Sequence, residues 1–223
     1  MTAASRLYIV RPSISMDEID QHLHDVRWQL RIKRLIDVVV SLALLIVLSP
    51  VLLLTALGIR LESPGAALFF QPRWGWHERM FRCAKFRSMY LHLSDAGSSG
   101  SSEGSLAKRL EDPRVTRIGR LIRRSSIDEL PQLWNVLVGD MSLVGPRPLV
   151  FHMMEAYPES RALRCRVRPG ITGLWQVKDR ANNTHVDGML PYDIQYIRTV
   201  TLWLDLRILA STLSAVLAGN GAH

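Results

Sequence analysis

Apolar residues are spread very unevenly along this chain. From Val38 to Ile59 a run of 22 residues, VVVSLALLIVLSPVLLLTALGI, carries no charge. As a straight helix it would be about 33 Å long, against a hydrocarbon core of roughly 30 Å. Upstream, residues 1–14 read as loosely ordered. Ser15-Met16-Asp17-Glu18 then has the capping-box spacing that opens a polar, amphipathic helix to about Arg34. After Ser63-Pro64-Gly65, the segment Ala66–Tyr90 reads as two short strands around a turn at Arg73-Trp74-Gly75-Trp76. Two-residue alternation puts Lys85 and Arg87 on one strand face. The small, polar stretch 94–105 (SDAGSSGSSEGS) predicts a mobile loop, linker or lid. Helical spacing resumes near Val115. Tyr157-Pro158 and Arg168-Pro169-Gly170 then break the pattern, and Leu202–Ala218 reads as an apolar helix. Asp205 and Arg207 interrupt that helix and it is too short to span, so it is expected at an interface or in a core.

The long apolar run is not a simple span. Ser49-Pro50 falls at its centre, where Pro removes a backbone donor and collides with the Ile46 carbonyl. A neighbouring hydroxyl can satisfy part of what is freed. Arg31, Lys33 and Arg34 precede the run, and Arg60, Arg73 and Arg79 follow it. The positive-inside bias therefore favours both ends on the cytoplasmic side, while a kinked single-pass anchor remains the competing reading. A cleaved signal peptide does not fit so long and late a run. The expected organisation is an N-terminal extension (1–30), a membrane helix (31–62) and a catalytic domain (63–223).

Composition changes the picture in one respect. A net charge of +8 and 24 Arg among 28 basic residues point to anionic partners, although GC-rich coding explains the Arg bias alone. Cys83 and Cys165 imply no disulfide framework, and the histidines lack metal-ligand spacing.

The block Ser125–Pro148 carries the chemistry. Arg114, Arg117, Arg120, Arg123 and Arg124 recur at helical spacing just before the adjacent acids Asp128 and Glu129. A carboxylate can attack phosphorus only where cations cancel the repulsion between the two anions. The plainer reading makes Ser126-x-x-Glu129 a capping box for a helix running to Val138, ended by Gly139, with Asp128 complementing the dipole. Pro131 would bend or restart that helix and turn the carboxylates outward.

These residues resemble the bacterial sugar transferase family, the monotopic phosphoglycosyl transferases, from about Arg31 to Ser214. The resemblance rests on Lys33-Arg34-x-x-Asp37, the apolar helix with Ser49-Pro50, Gln71-x-Arg73-x-Gly75 and Lys85-Phe86-Arg87-Ser88-Met89. It continues through the Asp128-Glu129 block to Pro148, Arg168-Pro169-Gly170-Ile171-Thr172-Gly173 and Trp203-x-Asp205. One departure stands out. Where relatives often read Gly-Trp-Ala-Gln-Val-Asn-Gly-Arg, this chain has Gly173-Leu174-Trp175-Gln176-Val177-Lys178-Asp179-Arg180.

The resemblance implies an α+β fold, mostly helical with a small hairpin or sheet, and a re-entrant membrane helix broken at Ser49-Pro50. It implies Asp128 as nucleophile, Glu129 as a Mg²⁺ ligand, and Lys85, Arg123 and Arg147 on substrate phosphates. It places the nucleotide-sugar region at Gly170–Arg180, with Arg168 and Gln176 as candidate contacts. The expected reaction moves a phosphosugar from a UDP-sugar to undecaprenyl phosphate, releasing UMP and starting a surface glycan. The expected place is the cytoplasmic face of a bacterial inner membrane, with the bilayer and downstream glycosyltransferases as further partners. A basic membrane adaptor leaves the acid pair unexplained, and a nucleic-acid binder needs no apolar helix.

Overall fold

The structure is a computed structural model that describes residues 16–90, 112–155, 157–179 and 186–217. The expected loop at 94–105 and the capping Ser15 lie outside those residues. Helices dominate, with two small two-stranded sheets, so the α+β expectation holds.

Helix α1 (Met16–Asp25) runs almost directly into α2 (Arg27–Val47), which meets α3 (Ser49–Glu62) at a 60° bend. The bend has the cause its sequence suggests. Pro50 sits in the first turn of α3, and the Ser49 hydroxyl donates to the Ile46 carbonyl at 2.7 Å. Among the described residues no single helix is long and apolar enough to cross a membrane, but the bent pair passes that test together. Large apolar side chains stand exposed along both arms, with Leu35 64%, Ile46 65% and Leu53 71% exposed.

Strands β1 (Leu68–Trp74) and β2 (Met80–Phe86) pair antiparallel, Leu68 opposite Phe86. Arg73 and Trp74 are still strand. The turn falls later than expected, at Gly75–Arg79, where His77 and Glu78 take positive φ values of 55°. Helix α4 (Arg117–Arg124) is capped by the Thr116 hydroxyl, which accepts from Gly119 N. A 3₁₀ turn (Ile127–Glu129) follows, then α5 (Gln132–Val138), ended by Gly139 at φ 100° as its position after the helix requires.

Strand β3 (Ser142–Val144) pairs in parallel with β4 (Gly170–Thr172) across α6 (Phe151–Glu155) and α7 (Pro158–Arg164). Helices α8 (Leu174–Lys178), α9 (Val186–Arg198) and α10 (Leu202–Leu217) complete the described chain. The parallel pair is not evident from hydrophobic spacing, because each strand has three residues. Glycine permits it: a Cβ on Gly170 would lie 2.1 Å from Gly145 N.

One core joins Ile19 and Val26 of the first helices to Phe81, Val136, Met141 and Tyr196. The first helices are thus part of the same packed body as the hairpin and β3. The polar half of α2 is bolted to that body. Arg34 donates to the Val136 and Leu137 carbonyls at 2.6 and 2.8 Å, capping α5. Asp37 accepts from Leu143 N, and Lys33 reaches both the Val144 carbonyl and Asp205. The far end of the bent pair is held too: Arg87 donates to the Ser63 and Pro64 carbonyls, and Glu62 accepts from Arg117 N and Ile118 N. Lys33, Arg34 and Arg73 are therefore structural partners rather than free flanking charge. Arg27, Arg31, Arg60 and Arg79 keep exposed positions beside the apolar arms.

Candidate active site

The expected capping box does not form. Ser126 adopts a left-handed conformation (φ 56°) and makes no side-chain cap, and the turn closes through Glu129 N to the Ser126 carbonyl. A non-glycine residue held at positive φ is strained, and such strain tends to sit where a side chain must be aimed. Helix α5 begins only after Pro131. Asp128 and Glu129 therefore project from the tight turn, and they point inward: 5% and 7% exposed, not outward as the proline suggested.

Glu129 is the hub. Its Oε1 accepts from Lys85 Nζ at 3.0 Å and from Arg147 Nη2 at 2.9 Å. Burial of the carboxylate and half-burial of its two cations are tolerable because the charges are paired and hydrogen-bonded. The Glu129 carboxylate pushes the Arg147 guanidinium above its ordinary range, against the opposing effect of burial. Lys85 reaches this point because Asn135 of α5 satisfies the edge of β2. Asn135 Oδ1 accepts from Ala84 N, and its Nδ2 donates to the Arg82 carbonyl, both at 2.9 Å. Arg87 shares none of this. It turns away to the end of α3.

Arg123 occupies the Asp128 side. Burial lowers its pKa, and the Asp128 carboxylate opposes that shift. Its Nη1 is buried with no hydrogen-bond partner among the described residues. A buried donor left unmatched on a half-buried arginine is primed for an anion. The expected arginine stripe thus divides. Arg117, Arg120 and Arg124 face solvent, Arg114 pairs with Asp112 at 2.7 Å, and Arg123 joins the acids.

The two nucleotide-sugar candidates lie elsewhere. Arg168 Nε donates to the Gly139 carbonyl at 2.9 Å, and its guanidinium lies 4.1 Å from the Trp76 ring. Gln176, on α8, donates to the Ile171 carbonyl, while its Oε1 is buried without a hydrogen-bond partner among the described residues. Neither joins the Glu129 cluster through these contacts.

Sequence spacing overlooked two residues around the site. Arg73 donates to the Pro148 carbonyl at 3.0 Å, and Arg164 donates to the Arg147 carbonyl at 2.6 Å. Arg164 also pairs with buried Asp193 at 3.0 Å. Arg73 at least falls in a quoted motif, but nothing local in the sequence singles out Arg164 or Asp193.

The arrangement can hold a multiply charged anion. One half-buried lysine and two half-buried arginines surround two adjacent buried carboxylates. Among the described residues no group of three or more His, Cys, Asp or Glu could hold a metal by itself. Two neighbouring carboxylates do fit Mg²⁺ in its common mode, where substrate phosphates and water supply the other ligands.

A family model described as bacterial sugar transferase matches residues 28–219. The undecaprenyl-phosphate glucose phosphotransferase of Komagataeibacter xylinus is 43% identical over 87% of this chain and 37% of its own length. The undecaprenyl-phosphate galactose phosphotransferase of Salmonella typhimurium is 39% identical over 86% of this chain and 42% of its own. The UDP-glucose:undecaprenyl-phosphate glucose-1-phosphate transferase of Caulobacter vibrioides is 43% identical, over 86% of this chain and 72% of its own. The chain thus spans less than half the length of the first two relatives. The acid pair, its cations and the bent helices lie inside the matched span, and the chain belongs to the bacterial sugar transferase family.

Proposed function

We propose that this chain transfers a sugar 1-phosphate from a UDP-sugar to polyprenyl phosphate. The observation that carries the reading is the buried Asp128-Glu129 pair, set against Lys85 and Arg147 on one side and Arg123, with its unmatched donor, on the other. An Asp128 oxygen attacks the sugar-linked phosphorus of the donor. The bond from that phosphorus to the bridging oxygen breaks, and UMP leaves with the electron pair. The product is a phosphosugar held on Asp128 as an acyl phosphate. An oxygen of polyprenyl phosphate then attacks the same phosphorus, Asp128 departs as carboxylate, and polyprenyl diphosphosugar forms.

Lys85, Arg123 and Arg147 offset charge on the phosphates and lower the repulsion that opposes attack. Glu129 keeps Lys85 and Arg147 in register; with substrate bound it would also hold Mg²⁺, which supplies further charge neutralisation at the diphosphate. The relatives' names cite both glucose and galactose, so the transferred sugar is a matter for experiment.

The same reading places the bent pair α2–α3 in one leaflet as a re-entrant element. Its support is the 60° bend, the exposed apolar arms and the exposed Arg27, Arg31, Arg60 and Arg79 at both ends. That geometry would set the acids at headgroup level on the cytoplasmic face of a bacterial inner membrane. A lipid phosphate and a soluble nucleotide can both arrive there, and the product would feed downstream glycosyltransferases.

The deciding experiment incubates the protein with a panel of UDP-sugars, Mg²⁺ and undecaprenyl phosphate while UMP is measured. Sugar-phosphate label should also attach to the protein when lipid acceptor is omitted. Absence of UMP from every donor would end the transferase reading. Topology is tested separately: after replacement of Cys83 and Cys165, single cysteines at exposed Asp25 and Arg79 should both label from the cytoplasmic side only. Periplasmic labelling at Asp25 would make the pair an ordinary single-pass anchor.

A further inference from the structure

The loop Gly145-Pro146-Arg147-Pro148 delivers Arg147 to Glu129, and its chemistry creates a problem. Prolines on both sides of Arg147 remove two amide donors, so the loop can build no regular ladder. Its carbonyls still need partners in a buried setting. The first half is held by backbone: Gly145 N donates to the Thr172 carbonyl, and the Pro146 carbonyl accepts from Gly170 N, both at 2.9 Å. The second half is held by two buried arginines. The Arg147 carbonyl accepts from Arg164 Nη2 at 2.6 Å, and the Pro148 carbonyl from Arg73 Nη1 at 3.0 Å.

Both clamps are themselves fixed. Arg73 also donates to Gln71 Oε1 at 2.5 Å, and Arg164 pairs with Asp193 at 3.0 Å. They come from opposite sides, Arg73 from the hairpin and Arg164 from α7. Both are more than nine-tenths buried. Burying two guanidinium groups to satisfy two neutral carbonyls is costly, and a neutral donor such as Asn or Gln would satisfy a carbonyl with less desolvation. What the arginines add is a rigid, planar donor that is fixed at the same time by a second partner.

We infer that Arg73 and Arg164 are positioning residues that fix the carbonyls of Pro148 and Arg147 and so hold the Arg147 guanidinium against Glu129 and the phosphate of the donor. The role rests on the transferase reading for its catalytic consequence, but the hold on the loop can be read without substrate. Misplacing a phosphate-binding group by about 1 Å can cost on the order of 10²-fold in rate.

The test is a double-mutant cycle in the full chain, with UMP release as the readout. Arg73→Gln and Arg164→Gln are each made alone and with Arg147→Ala, and kcat/KM is measured for all. Each single change is expected to lower kcat/KM by about 10²-fold, and by less than about twofold once Arg147 is gone. Arg73→Lys and Arg164→Lys, which keep the charge and one donor, should recover part of the loss. They also serve if a glutamine variant does not fold. Equal losses with and without Arg147 would overturn the inference.

A second arm needs no turnover. Hydrogen exchange is followed at the non-proline amides of residues 143–151 in the two Lys variants. Exchange should quicken in that segment, by about tenfold, and stay unchanged in β1 and β2. Unchanged exchange in the segment, or equal acceleration across the hairpin, would overturn the inference even if the unsubstituted protein released no UMP from any donor. In that last case the transferase reading fails on its own, and the exchange result alone decides the positioning role.

Discussion

Two buried acid–base clusters lie within this fold, and they look alike at first sight. Glu129 meets Lys85 at 3.0 Å and Arg147 at 2.9 Å. Asp205 meets Lys33 at 2.6 Å and the Tyr196 hydroxyl at 2.8 Å. In both, a buried carboxylate gathers partners from distant segments. The surroundings differ. Around Asp205 the loose ends are tied: Lys33 also donates to the Val144 carbonyl, and the single Tyr196 hydroxyl proton lies within reach of both Asp205 and that carbonyl. Burial raises the Asp205 pKa and Lys33 opposes the shift, as for a closed pair within a core. Around Glu129 the setting differs: Asp128 stands next to it, Arg123 lies beside Asp128 with a buried donor that has no partner among the described residues, and the turn beneath is strained at Ser126. A buried ion pair is therefore poor evidence of a reactive site. An unmatched donor and a strained backbone beside it are better evidence.

That contrast can be attacked directly. The largest effect is expected from Asp128→Asn, which cannot form the acyl phosphate: UMP release should fall by at least about 10⁴-fold with the melting temperature nearly unchanged. Turnover within a few-fold of the unsubstituted protein would remove Asp128 as nucleophile.

Asp205→Asn should do the reverse. It leaves Lys33 buried without its counter-charge and should cost about 3 kcal/mol of stability by denaturant unfolding. Turnover per folded molecule should remain within a few-fold. A large drop in turnover with stability intact would show that the two clusters are not separable.

Glu129→Gln comes next. The loss of its charge should slow UMP release by about 10²-fold and weaken the dependence on Mg²⁺. A loss of about 1 kcal/mol of stability with activity kept would leave Glu129 as a structural partner of Lys85 and Arg147 only.

The smallest effect belongs to Tyr196→Phe. It deletes one donor to Asp205 and should cost about 1 kcal/mol by the same unfolding measurement, with no change in UMP release.

Local signals made much of the scaffold legible. The bend was visible in Ser49-Pro50, the hairpin in the alternation after Pro64, the end of α5 in Gly139 and the last helix in Leu202–Ala218, observed as Leu202–Leu217. The acid pair was visible as residue types. Its environment was not, because Glu129 finds its partners 44 residues earlier and 18 later. The capping-box spacing was misleading for a local reason: Ser126 is left-handed where a capping residue is ordinarily extended, and its hydroxyl caps nothing. Arg168 illustrates another limit. A basic residue within a motif does not reveal its partners, which here are the Gly139 carbonyl and the Trp76 ring. The parallel pairing of β3 with β4 rests on two glycines meeting at backbone distance, which no hydrophobic pattern encodes.

That meeting of glycines bears on how such a chain can diversify. A Cβ on Gly145 would lie 2.4 Å from the Arg168 carbonyl oxygen, and one on Gly173 would lie 2.3 Å from the Gly145 carbonyl oxygen. The obstacle is main chain, which cannot swing aside as a flexible side chain can. Three positions behind Arg147 are therefore closed to drift, and a mutational path through any of them passes through a misassembled loop. Variation is left to the residues that border the joint without entering it. The stretch Leu174–Lys178, which begins directly after Gly173, is one such border.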